Sequence, residues 1–193
     1  MEKIVVATNN LGKIKEIKEI LKEKEIVTLK KMHCDIEVEE DQDTFEGNAL
    51  KKAKEIYEVV KMPCIADDSG LCIDFLQGFP GVKTARFLGE QATQEQRNLY
   101  ILQQLEGVAK SKRSCKMVTV IAYVDKQKQR IFRAELKGYI AMEERGDNGF
   151  GFDTIFELED GRTLAQLSKE EKNKISSRKK ALMLCKEEMD SYI

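Results

Sequence analysis

Apolar and polar residues alternate in short blocks along the chain, and the spacing within each block predicts a strand or a helix. Lys3 to Thr8 is a run of mostly β-branched residues, which favours a buried strand. The apolar residues that follow recur every three or four positions, as on one face of a helix: Ile14, Ile17, Ile20 and Leu21. A second strand is predicted from Ile26 to Met32. Asp35 to Asp43 is strongly acidic and is predicted to be a solvated connection.

Two further helices are predicted in the middle of the chain. The first begins near Thr44 and ends before Pro63, which cannot continue a helix. Its apolar face consists of Phe45, Ala49, Ala53, Ile56 or Tyr57, and Val60. The second helix begins at Thr93, which has the spacing of a capping box with Gln96. We expect its inward face to consist of Leu99, Leu102 and Leu105.

The second half of the chain predicts a hairpin and a helical tail. Cys115 to Val124 and Arg130 to Ile140 are long strand candidates joined by a short polar segment, as in an antiparallel hairpin. Ser168 and Glu171 have capping-box spacing, and the helical tail that follows carries a packing stripe of Ala181, Leu182, Cys185 and Met189. Because the earlier strands are separated by helices, we expect an α/β protein with a mixed sheet.

The segment Ile65 to Leu71 is the strongest candidate for chemistry. Its apolar start predicts the end of a buried strand, and Gly70 would permit a sharp turn just after Asp67, Asp68 and Ser69. Adjacent carboxylates are costly to bury unless cations share the site, so we expect a divalent metal and an anionic substrate. The alternative is an acidic surface turn that caps a helix.

Other segments have the composition of ligand-binding loops, and each has a plainer interpretation. Thr8 to Lys13 would place backbone N–H groups, a hydroxyl and an ammonium at a helix start, which suits phosphate, although such a segment is also an ordinary turn. Arg86 follows a Pro/Gly-rich turn and is either a phosphate ligand or a surface arginine. Gly149 to Asp153 offers aromatic stacking faces beside glycines, or is a tight turn with core aromatics.

Composition narrows the function classes. At 193 residues we expect one domain, residues 1–193, and the net charge of −1 favours neither nucleic acid nor an anionic membrane as partner. No apolar run approaches the roughly 20 residues of a membrane span, and no charged leader precedes the first strand, so we expect a cytoplasmic protein. The five cysteines are scattered without a CxxC pair, which predicts reduced, packed thiols.

Six blocks, taken in their order and spacing, resemble the inosine triphosphate pyrophosphatase family, whose members are also called Ham1-like or RdgB-like proteins. The blocks extend over nearly the whole chain: Thr8-x-Asn10-x-x-Lys13; Thr44-Phe45-x-x-Asn48-Ala49; Ala66-Asp67-Asp68-Ser69-Gly70-Leu71; Pro80-Gly81-Val82 with Ala85-Arg86; Gly149-Phe150-Gly151-Phe152-Asp153; and Glu171-Lys172-Asn173 through Ile175-Ser176 to Arg178.

The resemblance implies an α/β fold in which an elongated mixed sheet is flanked by helices, with two lobes around a central nucleotide-binding cleft, usually in a homodimer. It also implies Mg²⁺-dependent hydrolysis of a nucleoside triphosphate to the monophosphate and pyrophosphate, with ITP, dITP and XTP as favoured substrates. Such a reaction mainly requires a positioned water and neutralised phosphate charge, so no nucleophilic side chain is needed.

By the match, Asp68 is the general base and a metal ligand, and Asp67 and Glu46 are further candidate metal ligands. With the residues singled out above, the candidate substrate-binding residues are Thr8, Asn10, Lys13, Ser69, Arg86, Phe150, Gly151, Phe152, Asp153, Lys172, Ser177 and Arg178.

Two departures from the family pattern leave alternative functions open. Ser177 stands where the family usually has histidine, which would weaken or shift selection of the base. Gly47 stands where the family has glutamate, and the nearest acid is Glu46. The alternatives are therefore a nucleotide-binding protein with impaired catalysis and a hydrolase of the same fold with shifted base specificity.

Overall fold

A computed structural model describes residues 2–190. The chain divides into two units, the first comprising Met1–Asp68, Thr119–Ala134 and Arg178–Ile193, and the second Ser69–Val118 and Glu135–Ser177. The chain therefore passes between units inside two of the motifs named above, once between Asp68 and Ser69 and once between Ser177 and Arg178.

The first unit begins with the predicted strand and helix. β1 spans Lys3–Val6 and α1 spans Leu11–Ile20, followed by β2 (Glu25–Thr28), α2 (Phe45–Val60) and β3 (Cys64–Ile73). β1 pairs in parallel with both β2 and β3. The final helix, α5 (Ser177–Asp190), packs its predicted stripe, Ala181, Leu182, Cys185 and Met189, into a core with Ile4, Val6, Ile17 and Ile65.

The second unit has its own apolar core, built from Leu71, Ile73, Ile101, Leu105, Ile140 and Phe156 among others. Its helices are α3 (Gln94–Gln104) and α4 (Lys169–Ile175), and both have the predicted capping boxes. The predicted continuous helical tail is instead two helices, because the backbone at Ser176 is extended between α4 and α5.

The strands form one six-stranded sheet in the order β2-β1-β3-β4-β5-β6, where β4 is Ser114–Val124, β5 is Gln129–Ile140 and β6 is Phe156–Glu157. β4 and β5 are neighbours joined by only four residues, a connection that permits only an antiparallel pair. β5 and β6 are antiparallel as well. Since β1 to β3 are parallel, the mixed sheet with flanking helices is confirmed.

Three further sequence predictions are wrong in detail. The strand predicted to reach Met32 ends at Thr28, whose hydroxyl accepts a hydrogen bond from the Lys31 N–H and caps a short 3₁₀ turn. In α3, the prediction fails at Leu99, which is 55% exposed, whereas Leu105 is buried and Leu102 packs against the core as predicted. The buried positions within the helix are Arg97, Asn98 and Ile101. Arg97 is buried because it donates to the carbonyls of Phe87, Gly89 and Ala92.

The third error concerns Gly70. β3 does not turn after the two aspartates but continues as a buried strand to Ile73. Ser69 and Gly70 are therefore strand residues, and the carboxylates lie within the strand. This excludes the acidic surface turn as the structure of the motif.

All five cysteines are free thiols, and Cys64, Cys115 and Cys185 are buried, as predicted. Within residues 2–190, no helix combines the length and apolar character needed to cross a bilayer.

Candidate active site

Asp67 and Asp68 are adjacent in β3, so their side chains leave opposite faces of the strand. Asp67 shares a face with Ile65, which packs in the core formed with α1 and α5. Asp68 takes the other face, where its neighbours are Asn48 and Lys52 of α2 and Glu40 of the acidic segment. The two aspartates therefore have different hydrogen-bond partners, although the charges of Lys13 and Lys52 act on both.

Asp67 lies between two cations. Its Oδ2 accepts from Lys13 Nζ at 2.9 Å and from Arg178 Nε at 3.4 Å. Burial opposes ionisation of this carboxyl, but the charges of Lys13, Arg178 and Lys52 outweigh it and hold the pKa of Asp67 at about 2. Asp67 is therefore a carboxylate at any physiological pH, and its charge is balanced by side chains of the protein.

Asp68 has the opposite electrostatic character. Burial raises its pKa to about 6, and the nearby Glu40 carboxylate adds to this effect, whereas Lys52 opposes it. A carboxyl group with a pKa near neutrality is matched to accepting a proton from water. The directions of the two pKa shifts favour Asp68 over Asp67 as the general base.

Lys52 and Glu40 lie near Asp68, and the sequence predictions included neither residue. Lys52 Nζ donates to Glu40 Oε1 at 2.6 Å and to the backbone carbonyl of Asp67 at 2.7 Å. Asn48, one turn earlier in α2, accepts from the backbone N–H of Gln42 at 3.0 Å. These contacts fasten the acidic segment to α2. The signal in the sequence was the four-residue spacing of Asn48 and Lys52 beside the apolar stripe of α2.

A cavity of about 190 Å³ in the first unit is lined by both cationic and anionic side chains. Among its lining residues are Thr8 and Lys13 from the first loop, Lys52 from α2, and Glu37 and Glu40 from the acidic segment. Two ammonium groups beside carboxylates suit a ligand that brings phosphate and a divalent cation together.

The first loop contributes side chains more than backbone amides. Asn10 caps α1, because its Oδ1 accepts from the N–H groups of Gly12 at 3.0 Å and Lys13 at 3.2 Å. Thr8 Oγ1 in turn accepts from the Asn10 N–H at 3.2 Å. The N–H groups of Asn10, Gly12 and Lys13 are thus engaged within the loop, and Lys13 and Thr8 line the cavity.

Glu46 was predicted as a candidate metal ligand, but its carboxylate pairs with an arginine. Its Oε1 accepts from Arg133 Nη1 at 2.6 Å in a half-exposed ion pair. At the adjacent Gly47, a Cβ would lie 2.8 Å from the Cβ of Gln42, so any larger residue requires Gln42 to move. The glycine therefore permits the close approach of the segment that carries Glu40.

In the second unit, Asp153 organises the glycine-rich turn. Its Oδ2 accepts from the Phe150 N–H at 2.7 Å and forms a short ion pair with Lys172. Lys172 Nζ also lies 4.6 Å from the centroid of the Phe150 ring. Gly149 has φ +85°, and a Cβ there would overlap the Asp153 carboxylate, which explains the glycine at this position.

The two aromatic rings of this turn have different environments. Phe150 is 50% exposed, whereas Phe152 is 5% exposed and stacks on Phe87 with the ring centroids 6.4 Å apart. The prediction of stacking faces and the alternative of core aromatics therefore each describe one residue. Phe150 is the exposed ring of the turn, and Phe152 supports the turn from the core.

The remaining candidates are placed as follows. Ser69 is a half-buried residue of β3, Arg86 is half-buried in the turn region after Pro80, Gly151 has φ +67° in the turn, and Ser177 is buried at the first position of α5. Arg178 contacts Asp67 and also donates from Nη1 to Glu16 Oε2 at 2.7 Å. Among residues 2–190, no group of three or more His, Cys, Asp and Glu side chains is arranged to hold a metal ion.

Comparison with known proteins decides the family. The sequence profile of the Ham1 family matches residues 4–188. The chain belongs to the Ham1 family. The chain is 44% identical to the dITP/XTP pyrophosphatase of Caldanaerobacter subterraneus subsp. tengcongensis, over 97% of this chain and 96% of the relative. It is 40% identical to the dITP/XTP pyrophosphatase of Bacillus subtilis, over 94% of each chain.

Solved structures of the Ham1 family have the same fold. The Ham1 protein of Staphylococcus aureus superposes with a TM-score of 0.92 at 34% identity, covering 100% of both chains. The HAM1 protein of Coxiella burnetii gives a TM-score of 0.92 at 36% identity, covering 99% of this chain and 100% of that one. The resemblance of the six sequence blocks is thus confirmed at the level of family and fold.

Proposed function

We propose that the protein is a nucleoside triphosphate pyrophosphatase that hydrolyses ITP, dITP and XTP to the monophosphate and pyrophosphate. The observation that carries the proposal is the placement of Asp68, a buried carboxyl with a raised pKa, beside Lys52 and Glu40, which line the cavity shared with Lys13. The relatives named dITP/XTP pyrophosphatase support release of pyrophosphate and the choice of dITP and XTP as substrates.

We propose Mg²⁺ as the cofactor, held by Asp68 and Glu40. The donor set fits, because hard carboxylate oxygens are the ligands that Mg²⁺ takes, and two of them with several waters are a sufficient set. The raised pKa of Asp68 beside the Glu40 carboxylate supports this assignment, since a divalent cation would relieve both their burial and their mutual repulsion. When bound, the cation would neutralise phosphate charge and acidify water.

Residues of the first unit would bind the phosphates and activate the attacking water. Lys13 and Lys52 would bind the phosphates as point charges, and Thr8 would add a hydroxyl donor. Asp68 would orient the attacking water and accept its proton. Hydrolysis then breaks a phosphoanhydride bond and releases pyrophosphate, and no covalent intermediate with the protein is needed.

For contacts to the base we propose Phe150, Ser177 and Arg178. Phe150 presents a half-exposed ring whose turn is held by Asp153 and Lys172, an arrangement suited to stacking a purine. We propose that Arg178 donates a hydrogen bond to a carbonyl of the base. We propose that Ser177, its neighbour in the chain, contributes to selection among bases. On the family resemblance we also propose a homodimer that acts in the cytoplasm.

The test is a substrate panel with purified protein and Mg²⁺: ITP, XTP, dITP, GTP, ATP and dTTP, with pyrophosphate and orthophosphate measured separately. We expect equal amounts of pyrophosphate and monophosphate, with ITP, dITP or XTP preferred. Orthophosphate without pyrophosphate would contradict the assigned reaction. Tight binding without turnover would favour a nucleotide-binding protein, and preference for another base would indicate shifted specificity.

A further inference from the structure

A single oxygen of Asp67 joins two cations that are distant in the sequence. Oδ2 contacts Lys13 Nζ at 2.9 Å and Arg178 Nε at 3.4 Å, and the Asp67 side chain is fully buried. Arg178 is also bound by Glu16, which lies one helical turn after Lys13 in α1. The four side chains form one connected chain of charges within the first unit.

A purely structural ion pair does not account for the whole arrangement, because it leaves the second oxygen of Asp67 without a partner. Asp67 Oδ1 is buried and has no hydrogen-bond partner among the described residues, and an unsatisfied buried oxygen of a carboxylate is destabilising. Arg178 already has a carboxylate partner in Glu16, and Lys13 lies at the edge of a polar cavity. Neither cation requires Asp67 merely to avoid being buried unpaired.

We infer that Asp67 is a positioning residue that couples the phosphate contact of Lys13 to the base contact of Arg178. The inference rests on the proposed function, which assigns phosphate to Lys13 and a base carbonyl to Arg178. A bound phosphate would draw the Lys13 ammonium away from Asp67 Oδ2. Arg178 would then be the main cation on that oxygen, so the position of the Arg178 side chain depends on the position of Lys13. Such coupling is reciprocal, because linkage between two binding contacts acts equally in both directions.

Lys52 provides a matched control. It is a second lysine of the same cavity, but it contacts the backbone carbonyl of Asp67 and the carboxylate of Glu40, so it does not share Oδ2. Removing either ammonium should weaken binding of every triphosphate. Only the removal of Lys13 should also change which base is preferred.

The experiment compares wild type with Lys13→Met and Lys52→Met on the two triphosphates that wild type discriminates most strongly. The readout is the ratio of the two kcat/KM values, or of the two Kd values by calorimetry where turnover is too slow. We expect the ratio to change roughly fivefold or more in Lys13→Met, the lower range of measured coupling, and to stay at the wild-type value in Lys52→Met. In Asp67→Asn the ratio should also change, and adding Lys13→Met should change it no further.

A wild-type ratio in Lys13→Met, an equal change in both lysine variants, or a wild type without base discrimination would overturn the coupling. A further change on adding Lys13→Met to Asp67→Asn would show that coupling bypasses Asp67 and would overturn it as well. Failure of the proposed function is distinguishable, since wild type would then release no pyrophosphate from any triphosphate.

Discussion

Neutralising Asp68 and neutralising Asp67 should change the stability of the protein in opposite directions. The ordinary carboxyl pKa is 3.8, and that of buried Asp68 is about 6, whereas that of Asp67 is about 2. A raised folded-state pKa contributes stability that is present below pH 3.8 and is lost as pH rises through about 6. A lowered folded-state pKa, as for Asp67, contributes stability that is present above pH 3.8 and is lost as pH falls through about 2.

The expected changes in the free energy of unfolding follow from the size of each pKa shift. At about 1.4 kcal/mol per pKa unit, ionised Asp68 costs about 3 kcal/mol of folding free energy at pH 7, and ionised Asp67 contributes about 2 kcal/mol. Asp68→Asn should therefore raise the free energy of unfolding by up to about 3 kcal/mol, or roughly 6 to 12 °C in Tm for a chain of this size. Asp67→Asn should lower it by at least about 2 kcal/mol, since Lys13 and Arg178 both lose a carboxylate partner.

Thermal and urea unfolding at pH 7 with a chelator, so that no divalent cation binds, provides the assay. Activity measured on the same samples should be lost almost entirely in Asp68→Asn, because a charge and the proton acceptor are removed together. Added Mg²⁺ should stabilise wild type more than Asp68→Asn. If Asp68→Asn is less stable than wild type, or if both variants shift in the same direction, the electrostatic assignment of the two aspartates is refuted.

The remaining predictions concern the metal and the base. Glu40→Gln should raise the Mg²⁺ concentration for half-maximal activity, whereas Glu46→Gln should leave it unchanged because Glu46 pairs with Arg133; the opposite pattern would assign the metal to Glu46. Phe150→Ala should raise KM roughly fivefold or more for all purine triphosphates, given the typical free energy of base stacking, with little change in Tm because the ring is half-exposed; an unchanged KM would remove Phe150 from the base site. Ser177→His should increase the preference for ITP over GTP while lowering Tm, since position 177 is buried; a constant ratio of specificity constants would show that this residue does not select the base.

The sequence was sufficient where local spacing determines structure. Ile14 and Ile17 predicted the buried face of α1, and the Ser168 and Glu171 spacing predicted the start of α4, because such patterns depend on neighbours within a few positions. The motif around Asp68 was selected correctly as a buried carboxylate pair, but its sharp turn at Gly70 was wrong. Glycine permits a turn without requiring one, and pairing within the sheet kept the strand extended.

Contacts between distant segments could not be predicted in the same way. The pairing of Lys52 with Glu40 depends on how an irregular acidic segment folds back onto α2, and nothing in its composition specifies that path. Which aromatic of the glycine-rich turn is exposed depends on Phe87, which covers Phe152 from another part of the second unit. The opposite faces of Asp67 and Asp68 were predictable from strand periodicity once the strand was known to continue.

The most direct test of the central claim is the product balance of ITP hydrolysis with Mg²⁺, measured for wild type and Asp68→Asn in parallel. The reaction assigned to Asp68 predicts one pyrophosphate and one IMP for each ITP consumed by wild type, and almost none of either from Asp68→Asn. Release of orthophosphate with IDP, or turnover by Asp68→Asn near the wild-type rate, would contradict it.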